Sequence, residues 1–194
     1  MNQRHALAAL AMAAVLCVPR AHATDISLAA DGQWQQFTVD SFLAQPAGLN
    51  WIDFADGSAL NFNFTVDSGH VAYLTVVDGG FGGDTFSVTN FGSALGNTSA
   101  VPLASYDSAV NLGDDFDAAL SDASFSKGFF TLDPGSYSIS GLLKQSVLLD
   151  GEPLDSTVGA LRLTMAPVPE PSTYALLFAG LAAVGVVAQR RRVR

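Results

Sequence analysis

Cysteine is almost missing from this chain: the only one, Cys17, lies in an apolar stretch near the N-terminus. A single cysteine excludes an intrachain disulfide. It also leaves the chain beyond that stretch with no thiol nucleophile and no cysteine metal ligand. Histidine is nearly as scarce, and of His5, His22 and His70 only His70 lies beyond residue 23, beside an expected turn. Histidine is the usual general base near neutral pH, and no G-x-S-x-G elbow occurs, so hydrolysis by a Ser-His-Asp triad has little to build on. Basic residues are few where acidic ones are many. Between Asp25 and Glu170 only Lys127, Lys144 and Arg162 stand against all eighteen carboxylates, a net charge of −15. A surface of that sign disfavours nucleic acid and anionic lipid as partners. Trp34 and Trp51 sit in no sugar-binding pattern, and most of the thirteen phenylalanines read as core.

What is present begins with two addresses. Residues 1–23 have the parts of a secretory signal peptide: Arg4 is the positive n-region and Ala6 to Val18 a thirteen-residue apolar run. Ala21-His22-Ala23 is an A-x-A site, so signal peptidase is expected to leave Thr24 as the first residue. At the other end Tyr174 to Ala188 is an apolar run of fifteen residues with no polar face, followed by Arg190, Arg191, Arg192 and Arg194. A helix over 173–189 is about 23–26 Å long, a short span of a ~30 Å hydrocarbon core. The arginines are expected to remain in the cytoplasm. Before this helix, Pro167, Pro169 and Pro171 alternate around Glu170. Each proline fixes φ and holds its predecessor extended, so 166–171 reads as a polyproline-like rod, with Ser172 or Thr173 capping the helix. An extended peptide just outside a membrane is the form a processing enzyme accepts.

Val168-Pro169-Glu170-Pro171-Ser172-Thr173, the short apolar helix and the terminal arginine cluster together resemble the PEP-CTERM sorting signal of Gram-negative bacteria. The resemblance implies recognition by an exosortase, a membrane enzyme thought to cleave such tails and pass the protein to the cell surface. Pro169, Glu170 and Pro171 are the residues it implies are recognised, within the segment 167–194.

The intervening residues 24–166 are enough for one domain with a core, and they read as β throughout. In "ALNFNFTV" Leu60, Phe62, Phe64 and Val66 alternate with Asn61, Asn63 and Thr65, the pattern of a half-buried strand. "HVAYLTVVD" is apolar on both faces and reads as a central strand, joined to the first as a hairpin through Asp67 to Gly69. "DTFSVTNF", "GSYSISGLL", "SVLLDG" and "GALRLTM" are further strands, and "DPGS" is a turn. "SAVNLGDDFDAALSDASF" is less β-like and suits a loop or one helical turn. The expected fold is all-β, one antiparallel sandwich or jelly-roll-like domain.

"YLTVVDGGFGGDTFSVTNFGSALGNTSAV" and the later "FTLDPGSYSISG" look like the extracellular domain of FxDxF-type PEP-CTERM proteins. The namesake motif departs at its end, where Phe54-Ala55-Asp56-Gly57-Ser58 closes in serine. That resemblance carries no activity. In "VDGGFGGD", Asp78 and Asp84 flank two Gly-Gly pairs, and such a backbone lets oxygens converge on calcium. The preferred reading of that stretch is a hairpin turn carrying solubilising charge, and "NLGDDFD" is a second acidic cluster. Carboxylate pairs suffice for a glycosidase, but spacing in sequence does not place them.

The expectation is a non-enzymatic, exported surface or matrix protein without a cofactor. The resemblance to sorted proteins suggests exopolysaccharide or biofilm as its setting. The alternatives are a carbohydrate-binding module, with calcium at Asp78 and Asp84, and a glycan-active hydrolase. Tryptophans exposed in a groove would favour the first alternative, and paired carboxyls across a cleft the second.

Overall fold

The computed structural model describes residues 23–44, 48–168, 176–184 and 189. The signal-peptide features through His22, the residues Pro169, Glu170, Pro171 and Ser172, and the four terminal arginines lie outside them.

Between residues 23 and 168 the described residues form thirteen strands and one helix in chain order: β1 (Ala23–Ser27), β2 (Gln35–Asp40), β3 (Ala59–Val66), β4 (His70–Asp78), β5 (Gly80–Phe81), β6 (Thr85–Asn90), β7 (Ser93–Asn97), β8 (Asn111–Gly113), α1 (Phe116–Ser121), β9 (Lys127–Leu132), β10 (Gly135–Gln145), β11 (Leu148–Leu149), β12 (Glu152–Pro153) and β13 (Ser156–Pro167). Two sheets face each other, one ordered β1-β3-β10-β6-β7 and the other β2-β13-β4-β9. The all-β sandwich expected from alternation is therefore present.

Two details of pairing differ from expectation. β3 and β4 do not form a hairpin: β3 pairs with β1 and β10, while β4 pairs with β13 and β9 in the opposite sheet. The turn at Asp67–Gly69 instead carries the chain across the core. Leu60, Phe62 and Val66 of β3 then face Ala72, Leu74 and Val76 of β4 within one buried cluster. Both strands carry a strong apolar face, and packing those faces against each other removes more apolar surface from water than setting the strands side by side. The sheets are also not wholly antiparallel, since β1 runs parallel to β3. β1 is followed by a crossing to β2 in the other sheet, so it reaches the edge of β3 by a crossover, as parallel pairs must.

The residues between β2 and β3 join the sheets. Trp51 N–H donates to the Gly141 carbonyl of β10 at 2.9 Å, and the Trp51 carbonyl accepts from Leu60 N–H of β3 at 2.9 Å. The next residue, Ile52, bridges to Thr38 of β2 and to Ala59 of β3. The Trp51 ring is thereby held fully buried between the layers, stacked on Phe37 at 3.8 Å with Phe86 edge-on to Phe37 at 5.2 Å.

A smaller core lies on the outer side of the β2-β13-β4-β9 sheet. α1 lays Phe116 and Ala119 over Val77 and Ala160, with Phe125 beside them. The acidic cluster at 111–117 is part of this device. Asp115 caps α1 by accepting from Ala118 N–H at 3.0 Å. Asp117 takes both Trp34 Nε1–H and the Arg162 guanidinium at 3.1 Å, and Arg162 lies 4.3 Å over the Trp34 ring.

The segment 176–184 is helical and exposed, as is residue 189. Among the described residues no helix is long and apolar enough to cross a membrane. Ala166 and Pro167, expected in a polyproline-like rod, instead complete β13 by pairing with Val71 and His70. Extended and polyproline geometries share one region of φ/ψ, and an available sheet edge decides between them.

Candidate functional site

The glycine-rich stretch between β4 and β6 folds into the interior of the protein. Asp78 ends β4 and Asp84 precedes β6, and at 0% and 2% exposure both are buried. The path between them is possible because Gly80 and Gly83 take φ of +65° and +136°, a region that disfavours side chains. Asp84 N–H donates to Asp78 Oδ2 at 3.2 Å. Asp84 Oδ1 in turn accepts Val147 N–H at 2.7 Å, and its carboxyl also takes the Thr157 hydroxyl. The two carboxyls thus tie the β4–β6 connection to the residues before β11 and at the start of β13.

Burial dominates their ionisation. Removal from water pushes the Asp84 carboxyl up to about 6, against the pull of the Thr157 and Val147 hydrogen bonds and with a further push from Asp155. Asp78 is raised well above the ordinary carboxylate range, first by burial and then by the charge of Asp84. Its Oδ1 has no hydrogen-bond partner among the described residues. Among the described residues no group of three or more His, Cys, Asp or Glu side chains is placed to share a metal ion. Calcium takes six to eight oxygens as a rule, and this pair offers few beyond those already bonded to the chain.

Asp84 also forms part of the wall of a cleft of about 670 Å³ beside β2, β5 and β13. Its apolar surface includes Phe37, Ile52, Phe81 and Val158, and its acidic groups are Asp40, Asp53, Asp84 and Asp114, with no Lys, Arg or His among the described residues that line it. Two of these carboxylates are turn caps. Asp40 Oδ1 accepts Phe42 N–H at 2.8 Å and Leu43 N–H at 3.1 Å, and Asp53 Oδ1 accepts Ala55 N–H at 2.9 Å. Asp78 lies behind the wall and does not line the cleft. The Asp78–Asp84 pair therefore does not flank a bound glycan from two sides, as both glycosidase geometries require.

The remaining candidates are dispersed. Trp51 is in the core and Trp34 is held by Arg162 and Asp117, so neither forms a platform in the cleft. The exposed aromatic at the cleft is Phe54, 71% exposed. His70 lies at the far end of β4, opposite Pro167. Glu152 follows Asp150 and Gly151, both at positive φ, in the tight β11–β12 hairpin. Sequence reasoning missed the cleft because its members come from separated segments. It found Asp78 and Asp84 through their glycines, without foreseeing that both would be buried.

Ala23, on the expected cleavage site, is the first residue of β1 and pairs with Ala59. Val168, the first residue of the proline motif, donates its N–H to the Gly69 carbonyl at 2.7 Å.

Comparison with known proteins gives three results. No curated protein matches the chain. Among solved structures, the pre-peptidase C-terminal domain of a collagenase from Bacillus anthracis is similar at a TM-score of 0.37 and 11% identity, over 74% of this chain and 95% of that one. Residues 167–192 match the model of the PEP-CTERM protein-sorting motif. The C-terminal segment is therefore a PEP-CTERM sorting signal, and it implies export by way of the membrane to the cell surface with processing by an exosortase.

Proposed function

We propose that this is a non-enzymatic protein of the cell surface or extracellular matrix, made as a precursor with a signal peptide cleaved after Ala23 and a membrane helix at 173–189. Exosortase processing at the Pro169-Glu170-Pro171 signal delivers its sandwich domain to exopolysaccharide or biofilm material, as a PEP-CTERM protein of the FxDxF type. The single observation that carries this reading is the sorting motif at 167–192. It is supported by the commitment of Asp40, Asp53 and Asp84 to main-chain N–H groups, which gives these carboxylates structural work in place of proton transfer.

The test is the intact mass of protein recovered from envelope and medium, with and without Pro169-Glu170-Pro171 replaced by three alanines. The wild type is expected to begin at Thr24 and end near the tripeptide, while the alanine variant keeps its arginine tail in the membrane fraction. Retention of the tail in both would reduce the segment to a plain anchor.

The cleft favours one second reading, binding of a neutral polysaccharide chain. An apolar wall with an acidic, base-free lining suits pyranose rings and hydroxyls and repels anionic polymers. Calcium assistance through Asp78 and Asp84 belongs to this reading. Replacing Phe54 by alanine removes the exposed aromatic and is expected to weaken retention on neutral-glycan affinity gels without changing the melting temperature. Unchanged retention across a panel of such gels removes the reading.

A further inference from the structure

The sorting signal has no linker. β13 is an interior strand, paired with β2 on one side and β4 on the other. Its pairing with β4 runs unbroken through Met165↔Ala72, Ala166↔Val71 and Pro167↔His70. The Val168 N–H to Gly69 carbonyl bond continues it one residue further. The matched sorting motif begins at Pro167, so the last residue of the sheet is already the first of the signal. Pro169, two residues on, lies at most ~7 Å of chain from that sheet end.

The end of the sandwich around this exit is broad. It carries the Asp67–Gly69 turn and the Asp133-Pro134 turn that leads into β10, with Asp31 bridged to Thr164 nearby. Two sheets ~10 Å apart, with strands ~4.8 Å from their neighbours, make an end face roughly 15–20 Å across. An enzyme cleft that encloses a tripeptide ~7 Å away cannot avoid touching such a face. Asp31, Asp67 and Asp133 are exposed there, and no lysine or arginine occurs in the turns named.

We propose that this end face of the folded sandwich, where β13 runs into the sorting motif at Pro167, is a docking surface for the membrane-embedded processing enzyme. The inference rests on the sorting reading above. The enzyme meets a folded substrate within that short reach of chain, and the surface that receives the end face is basic. An ordinary flexible linker would allow the enzyme to treat the cargo as indifferent; here the spacing makes the cargo part of the recognised object.

The test uses the full-length chain in its own cells and reads the ratio of mature to tail-bearing protein by intact mass. Asp67→Lys with Asp133→Lys is expected to lower that ratio at least roughly threefold by placing like charge against the receiving surface. The melting temperature of the purified protein should not change. Inserting eight Gly/Ser residues between Pro167 and Val168 should abolish the sensitivity to these charges. Normal processing of the charge-reversed protein overturns the proposal, as does an equal loss with and without the insert. The three-alanine variant separates the two levels: if it too is processed normally, the sorting reading itself has failed.

Discussion

Alanine at Gly141 or at Gly159 will cost the sandwich a large part of its stability. Both glycines lie inside strands, where glycine ordinarily weakens the sheet. Each is required by an aromatic ring that covers it. A Cβ at Gly141 would lie 2.4 Å from Trp51 Cε2, 2.5 Å from its Cζ2 and 2.6 Å from the Ser87 carbonyl oxygen. At Gly159 it would lie 2.4 Å from Phe37 Cζ and 3.0 Å from the Val77 carbonyl oxygen. The two rings are stacked on each other at 3.8 Å, so neither can retreat without pushing the other. The main-chain contact in each case also blocks a shift of the strand. Overpacking a tight core costs about 1–3 kcal/mol and sometimes more, and these sites belong at the upper end. Against a total stability of roughly 5–15 kcal/mol, the double substitution, at about 6 kcal/mol, should leave the domain marginally folded at best if its stability lies at the low end of that range. Urea unfolding of each variant checks this, with Gly92→Ala as control. Gly92 has φ +75° with nothing within 4 Å of the added Cβ, so its substitution carries only backbone strain of about 1–2 kcal/mol. Trp51→Phe in the Gly141→Ala background should recover part of the loss, because it removes the ring atoms that clash. A loss under about 1 kcal/mol at Gly141 would mean the stack is looser than its geometry implies.

These glycines also mark the limit of what the sequence reveals. The strands with regular alternation were legible: β3 buries Leu60, Phe62 and Val66 on the face the pattern assigns, and β6 buries Phe86 and Val88. β4 was legible as central because both its faces are apolar, the inner one on the main core and Val77 under α1. β1 and β7 were not, since an edge strand such as Ser93–Asn97 exposes most of its side chains and carries no period. β9 was missed because its Phe129, 68% exposed, points outward where alternation wants a polar residue. The hairpin expected at Asp67–Gly69 failed for a different reason. A three-residue turn fits either a hairpin or an arch between sheets, and only the global pairing of β4 with β13, some ninety residues later, decides which. The sorting motif at 167–192 was legible because it is a short linear string whose pattern needs no tertiary structure to be seen. The cleft depends on tertiary assembly, and no local string encodes it.

The buried aspartates make the second large expectation one of pH. For Asp84 the folded-state value of about 6 lies above the ordinary 3.8 of an exposed, unfolded aspartate. The folded form therefore holds its proton more tightly than the unfolded form. The stabilising contribution is complete below about pH 4, falls by about 1.4 kcal/mol per unit between, and is gone above about pH 6. That amounts to roughly 3 kcal/mol from Asp84. Asp78, also raised by burial and by the Asp84 charge, adds to the decline in the same direction. The pair thus destabilises the domain at neutral pH, the reverse of the usual paired carboxylate. Asn at both positions keeps the acceptors that Asp84 N–H and Val147 N–H use while removing the buried charge. Asp78→Asn/Asp84→Asn should melt roughly 5–10 °C above wild type at pH 7.5 and within a degree or two of it at pH 4. Because the comparison is between variant and parent at each pH, relief of the general acidic repulsion cancels. A variant less stable than wild type at pH 7.5 would mean that the charges themselves are needed. Calcium is then the ion to add: a rise in wild-type melting temperature that the asparagine variant lacks would assign the pair to cation binding. If calcium leaves both proteins unchanged and the asparagine variant melts higher, the two aspartates are buried acids that hold the glycine-rich connection against Val147 and Thr157. The domain would then be most firmly closed in acidic surroundings.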